Sequence, residues 1–193
     1  MARPPRVFVD TNELFPFTVM DTLLTLAEER VITWVWTDEL LGEWERVIVG
    51  ENQRSSESAA SVARVIRQFF ARGRLQPEKY LPLVDESLSP DPEDRVHAAA
   101  CLGGDIDAFL TRNTKDFPLD RLREAGVAVQ SADDFLVSMF ERRRSSVTSA
   151  VELTAARKQN PPKSRCDLVA DLRRAGSPRF AGVLAKAFGC TPP

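Results

Sequence analysis

Two spacings of apolar residues run along this chain. Short runs rich in Val, Ile and aromatic residues read as strands: RVFVD at 6–10 and VITWVW at 31–36, apolar enough for burial on both faces, then DAFLT at 107–111 and VAV at 127–129. YLPLV at 80–84 reads as a fifth strand, confined to an edge because Pro82 has no N–H to donate. Longer segments between them carry helical spacing. Pro16 suits the first turn of a helix running to about Arg30. Thr37 or Asp38 caps a helix to about Val49. After the polar loop GENQRSSES, Ser55 or Ser56 opens a helix to about Arg72 that Gly73 ends. DPED starts a helix through Leu102, stopped by Gly103-Gly104, and a short helix near 119–125 ends at Gly126. Ser131-x-x-Asp134 is a capping-box pattern opening a helix into the 140s.

Strands alternating with helices predict an α/β fold with a mostly parallel sheet of five strands and right-handed crossovers. Asn160-Pro161-Pro162 marks a break, and 164–175 and 177–189 then read as a helical hairpin, with Gly176 ending one arm and Ser177-Pro178 starting the other. The expected division is an α/β domain over 1–144 and a helical extension over 145–193.

Charge sharpens that division. Residues 141–193 hold 11 Lys/Arg against 4 Asp/Glu, whereas the rest of the chain holds 15 against 24. An acidic body invites a search for clustered carboxylates, and a basic tail suggests an acidic partner. At 193 residues and 43% hydrophobic, the chain is long enough to bury a core without staples. No run approaches the roughly 20 apolar residues of a membrane span, and the N-terminus has no signal-peptide core. Three widely spaced cysteines, Cys101, Cys166 and Cys190, argue against a disulfide framework, C-x-x-C redox chemistry and a cysteine zinc site. A single histidine, His97, removes His-rich metal sites and disfavours a Ser-His-Asp triad. The default compartment is the cytoplasm.

In an open parallel sheet, ligands bind beyond the carboxyl ends of the strands. Asp10 directly follows the first strand, and Asn113 and Asp116 follow the strand at 107–111. Glu43 lies at the rim of the apolar face made by Leu40, Trp44, Val47 and Ile48. Asp94 follows a good N-cap, Asp91, and a good first helical residue, Pro92, so it also fits a capping role. Each acid alone has an ordinary structural reading as a cap, a turn or a solvated side chain. Together, four acids from distant places can converge. Carboxylates within a few ångströms repel one another unless a divalent cation lies between them, and all-oxygen donors favour Mg²⁺ or Mn²⁺. Such a site suits phosphoryl chemistry. Arg95, Arg112 and Lys115 flank the acids and are candidates for phosphate contacts.

These residues, in this order, resemble the PIN-domain nucleases. The matching text is VFVDTN, then DELLGEW, then DPEDRVHAAACLGGDIDAFLTRNTKDFP, spanning about residues 6–140. Within that family the chain is most similar to the VapC-like ribonuclease toxins of toxin–antitoxin pairs, some of which similarly carry a C-terminal helical extension. The resemblance implies a three-layer α/β/α fold and hydrolysis of RNA phosphodiester bonds with Mg²⁺ or Mn²⁺, leaving 5′-phosphate and 3′-hydroxyl ends. Carried over by position, the family's acids fall on Asp10, Glu43 and Asp94. Its fourth falls on Asn113 or, three residues later, on Asp116, which is the expected ligand because Asn cannot act as a base. Asn12 and Thr111 look like residues that hold the acids or a water. The implied partners are an RNA substrate, tRNA or rRNA, a cognate antitoxin and a second copy of the chain, with no membrane.

Rival readings are weaker at the residues. An aspartyl-nucleophile phosphatase wants D-x-D-x-T, but Asn12 stands third. A phosphate-receiving regulator wants an acidic pair before its strand-end Asp and a late Lys after a strand, and neither is present. A PIN nuclease of RNA maturation without an antitoxin, or a non-catalytic binding module, would keep the same fold. For the tail, Phe180, Val183, Leu184, Ala187 and Phe188 at helical spacing favour packing over RNA or antitoxin binding.

Overall fold

The computed structural model describes residues 3–190. Strands β1 (Arg6–Val9), β2 (Thr33–Val35), β3 (Ala108–Leu110) and β4 (Ala128–Gln130) form a parallel sheet in the order β2-β1-β3-β4. The helices in chain order are α1 (Thr11–Leu14), α2 (Phe17–Glu28), α3 (Asp38–Gly50), α4 (Ser56–Phe69), α5 (Pro77–Tyr80), α6 (Pro92–Gly103), α7 (Leu119–Glu124), α8 (Ala132–Arg142), α9 (Arg144–Ala156), α10 (Arg165–Arg174) and α11 (Pro178–Phe188). The α/β class holds as expected. No helix among the described residues is long and apolar enough to cross a membrane.

The chain divides into two compact units. One comprises Pro5–Phe15 and Thr33–Gln130, the other Pro16–Ile32 and the chain from Ser131 onward. The first contains the sheet. Val7, Phe8 and Val9 of β1 and Phe109 and Leu110 of β3 are fully buried. They are joined there by Trp36, Leu40, Leu41 and Trp44 around α3 and by Ala98, Ala99 and Ala100 of α6. Local chemistry sets the helix starts. Thr37 caps α3 by accepting from the Leu40 N–H at 3.1 Å, Ser55 caps α4, and Asp91 caps α6 ahead of Pro92. Helix α6 closes against α5, where a Cβ on Gly103 would lie 2.1 Å from the Lys79 carbonyl oxygen.

Among the described residues the sheet has four strands, not five. The expected edge strand at 80–84 is instead the end of α5 and a 3₁₀ turn over Leu81–Leu83. Leu81, Leu83 and Val84 remain 47%, 42% and 37% exposed, so this run lacks the buried face that stabilises a strand. Pro82 also removes a ladder donor and suits the first turn of a helix.

The second unit is all helical. Leu23 and Leu26 of α2, Leu136 of α8, Val147 and Val151 of α9, Leu168 and Leu172 of α10, and Phe180, Leu184 and Phe188 of α11 are buried. The hairpin of α10 and α11 forms as expected, and Phe180, Leu184 and Phe188 point inward as its spacing implied. Helix α9 was not anticipated. A disulfide joins Cys166 to Cys190, contrary to the expectation drawn from three scattered cysteines. The hairpin explains it: Cys166 lies in the first turn of α10 and Cys190 just beyond α11, so folding the two arms together brings their Cα atoms to 5.6 Å despite a sequence separation of 24. Cys101 stays a buried free thiol.

Candidate active site

The strand order reverses its direction of growth beside β1: β2 adds on one side, β3 and then β4 on the other. A crevice opens outside the carboxyl ends of strands at such a point. The register pairs Val9 with Leu110, so the next residues, Asp10 and Thr111, emerge side by side. The Asp10 N–H donates to the Leu110 carbonyl at 2.9 Å, which extends the ladder by one bond.

Asp10 is buried, and its Oδ2 accepts from Thr111 Oγ1 at 2.6 Å and from Asn12 Nδ2 at 2.5 Å. Asn12 also accepts, through Oδ1, from the Arg112 N–H at 3.2 Å. Thr111 Oγ1 in turn accepts from the Asn113 N–H at 2.9 Å, a tight turn that carries Asn113 toward Asp94, 3.5 Å from its Nδ2 to the Asp94 Oδ2. Glu43 projects from the partly buried side of α3, and Asp94 from the first turn of α6. The capping work at that helix end falls to Asp91, whose side chain accepts from the Glu93 N–H at 2.8 Å, leaving Asp94 turned to the cleft.

The cleft encloses about 490 Å³ and is lined by Asp10, Glu43, Glu51, Asp91 and Asp94 together with Asn12 and Asn113 among its polar residues. No Lys or Arg lines it among the described residues. Of the expected site residues, the structure therefore brings together Asp10, Asn12, Glu43, Asp94 and Asn113, with Thr111 beneath Asp10. Asp116 does not line the cleft, and Asn113 takes the place facing Asp94. Past Asn113 the chain is drawn away where Phe117 packs edge-on against Phe109, ring centres 4.8 Å apart. Arg112 reaches back to the buried Glu13 at 3.0 Å, and Arg95 donates to the carbonyls of Ser89 and Pro90. Lys115 is exposed.

The ionisation of these groups records their crowding. Burial raises the Asp10 carboxyl, against the hydrogen bond from Thr111. Asp94 is pushed up to about 6, by burial first and by the charge of Asp10 second. Burial would also raise Glu43, but contact with His97 outweighs it and leaves that carboxyl below its usual value. His97 is the member that residue counting missed. It is 1% exposed, with Nε2 3.1 Å from Glu43 Oε2 and Nδ1 3.8 Å from Asp10 Oδ1. Burial would lower its pKa, but Glu43, Asp10 and Asp94 together raise it. The signal was available: His97 stands three residues after Asp94, one turn along the same helix face.

Asp10, Asp94 and His97 each offer a donor atom within 4.8 Å of the others. Asp10, raised by burial, and Asp94, raised by burial and by the charge of Asp10, in a cleft without a lining Lys or Arg, form a donor set that suits a divalent cation. Residues 6–115 match the PIN domain family.

The chain belongs to the PIN-domain family. PIN domains are generally metal-dependent nucleases, and the acidic cluster of this one fits that chemistry. Residues 132–186 match a second family, described as the VapC50 C-terminal domain, so the chain has the pattern of a VapC-like PIN protein with a C-terminal extension. No curated protein and no solved structure matches the chain. Within this PIN domain, the pair of buried Glu13 with exposed Arg112, also overlooked in the sequence, ties α1 to the loop after β3 and so braces both sides of Asp10.

Proposed function

We propose that this protein is a Mg²⁺- or Mn²⁺-dependent endoribonuclease, the toxin of a toxin–antitoxin pair, acting in the cytoplasm on a structured RNA such as tRNA or rRNA and restrained by a cognate antitoxin. The nuclease function belongs to residues 1–144, with 145–193 a basic helical extension, and the chain is expected to pair with a second copy.

The observation that carries this reading is the meeting of Asp10 and Asp94 at the sheet's switch point, both raised in pKa, in a cleft with no lining Lys or Arg. Asp10 and Asp94 would hold the cation, with Asn113 beside Asp94 in the fourth position expected for Asp116. When bound, a divalent ion makes a water more acidic and steadies charge on the phosphate oxygens. Thr111 and Asn12 fix one oxygen of Asp10, which sets the orientation of the carboxylate. Glu43, kept ionised by His97, stands in the cleft wall as the acceptor for a proton from an attacking water. Arg112 and Lys115, which flank Asn113 in the chain, would contact phosphates, Arg112 by leaving its pair with Glu13.

The test is cleavage of structured RNA by the purified chain, free of antitoxin. Cutting should require Mg²⁺ or Mn²⁺, stop in chelator, leave 5′-phosphate ends and vanish in Asp10→Asn, which should also lift growth arrest on expression. Cleavage that continues in chelator would exclude the metal mechanism.

A further inference from the structure

We infer that His97 is a nitrogen ligand of the cleft's cation, through Nδ1, and that Glu43 acts as the outer carboxylate that orients the imidazole. This rests on the reading of the cleft as a divalent-cation site and adds to it a mixed oxygen–nitrogen donor set.

Geometry separates the two ring nitrogens. Nε2 lies 3.1 Å from Glu43 Oε2. The contact does not meet hydrogen-bond geometry, since Glu43 Oε2 has no hydrogen-bond partner, but a carboxylate facing a ring nitrogen can only accept, so the contact favours the ring proton on Nε2 and the lone pair on Nδ1. Nδ1 has no hydrogen-bond partner although the side chain is 1% exposed, and an unpaired buried nitrogen is costly unless something fills the position it faces. What it faces is Asp10 Oδ1, at 3.8 Å. That gap is too long for a hydrogen bond, yet two donors each about 2.1 Å from one ion stand up to about 4.2 Å apart. Asp94, one helical turn before His97, offers a third donor, the three lying within 4.8 Å of one another, so that closing around one ion would draw the widest pair slightly inward. A carboxylate on the far nitrogen, a metal on the near one and carboxylates completing the set is how ligating histidines are held in metalloproteins generally.

The consequence is selectivity. Mg²⁺ favours oxygen donors, whereas imidazole suits transition ions. The site should therefore prefer Mn²⁺ over Mg²⁺ by more than carboxylates alone would give, and His97→Gln should lower the Mn²⁺-to-Mg²⁺ affinity ratio several-fold. The buried ring is also braced by Phe8, ring centres 5.7 Å apart.

Because the chain has one histidine, the assignment can be read directly. The full chain, made without a histidine tag and with ¹⁵N-histidine, is stripped with chelator, loaded with one equivalent of Mn²⁺ and examined by pulsed electron paramagnetic resonance. The expected result is a directly coordinated imidazole nitrogen whose coupling changes from ¹⁴N to ¹⁵N on labelling, persists in Glu43→Gln and disappears in His97→Gln. Tight Mn²⁺ binding without coupling to the labelled nitrogen would overturn the ligand assignment and leave the cation site standing. No Mn²⁺ binding at all would overturn both.

Discussion

Asp10 has two demands on it that conflict. Its position beside Thr111 in the cleft suits it to hold a cation, while its burial makes its charge costly in the metal-free protein. Asp10→Asn should therefore lower metal-dependent cleavage by more than about 100-fold, beyond the loss typical of outer-sphere partners. It should leave the melting temperature in chelator unchanged or raised, as a thermal scan of both proteins will show. Asp94 carries the same conflict into the pH profile. Its folded pKa of about 6 lies above the ordinary 3.8, so the folded state holds the proton more tightly. Its contribution to stability is full below pH 3.8 and is lost as pH rises through 6. His97, also raised, works in the same direction from 6.5 upward, while Glu43, lowered from 4.5, loses its contribution only under more acid conditions. The metal-free protein should thus lose denaturant resistance between about pH 4.5 and 7, measured by urea melts in chelator. At this scale the sequence disclosed Asp10, Glu43 and Asp94 through their places at a strand end and on helix faces. It concealed His97, because counting histidines says nothing of where one of them points. It left Asp116 and Asn113 undecided because a single tight turn, held by Thr111, determines which of them faces Asp94.

Among the elements, those with strong terminal signals were legible. Thr37, Ser55, Asp91 and Ser131 each cap the helix expected of them. The 80–84 segment was misleading because its apolar residues do not tell which of them are buried: Tyr80 is, while Leu81, Leu83 and Val84 stay exposed. Helix α9 was missed although Val147, Ala150, Val151 and Thr154 are buried at helical spacing, since its many Ser and Thr residues dilute the apolar stripe. No sequence pattern announces the capping of α11. Its own Ser177 makes no cap, and Asp133 of α8 instead accepts from the N–H groups of Arg179 at 3.0 Å and Phe180 at 2.8 Å. Asp133→Ala should destabilise the protein by about 1–3 kcal/mol, because the Phe180 N–H is left buried without a partner, and a urea melt will measure it. The disulfide joins arms already packed through Leu168, Leu172, Leu184 and Phe188. Reduction should cost about 2–4 kcal/mol, mainly through the unfolded chain, and leave helix content intact, as circular dichroism with and without reductant will test.

For the whole molecule, the distribution of charge sets the binding problem. Five carboxylates line the cleft, so a polyanion is repelled from it until cations are bound. Monovalent salt weakens nearly all RNA binding. Low concentrations of Mn²⁺ should nonetheless strengthen the affinity of this chain for a nuclease-resistant RNA analogue, and should fail to do so in Asp10→Asn, as fluorescence anisotropy will show. The two family matches cover 6–115 and 132–186, whereas the division expected from the sequence, sharpened by its charge asymmetry, fell at 144–145. The two compact units cut the chain differently, since Pro16–Ile32 groups with the tail's helices, and a linear reading cannot anticipate such a return. All of these expectations descend from one claim, that Asp10 and Asp94 jointly bind a divalent ion. Calorimetric titration of Mn²⁺ into chelator-stripped protein, beside the Asp10→Asn/Asp94→Asn double variant, tests it most directly. The account predicts saturable binding to the native chain that is lost in the double variant; equal binding by both proteins, or none by the native one, would contradict it.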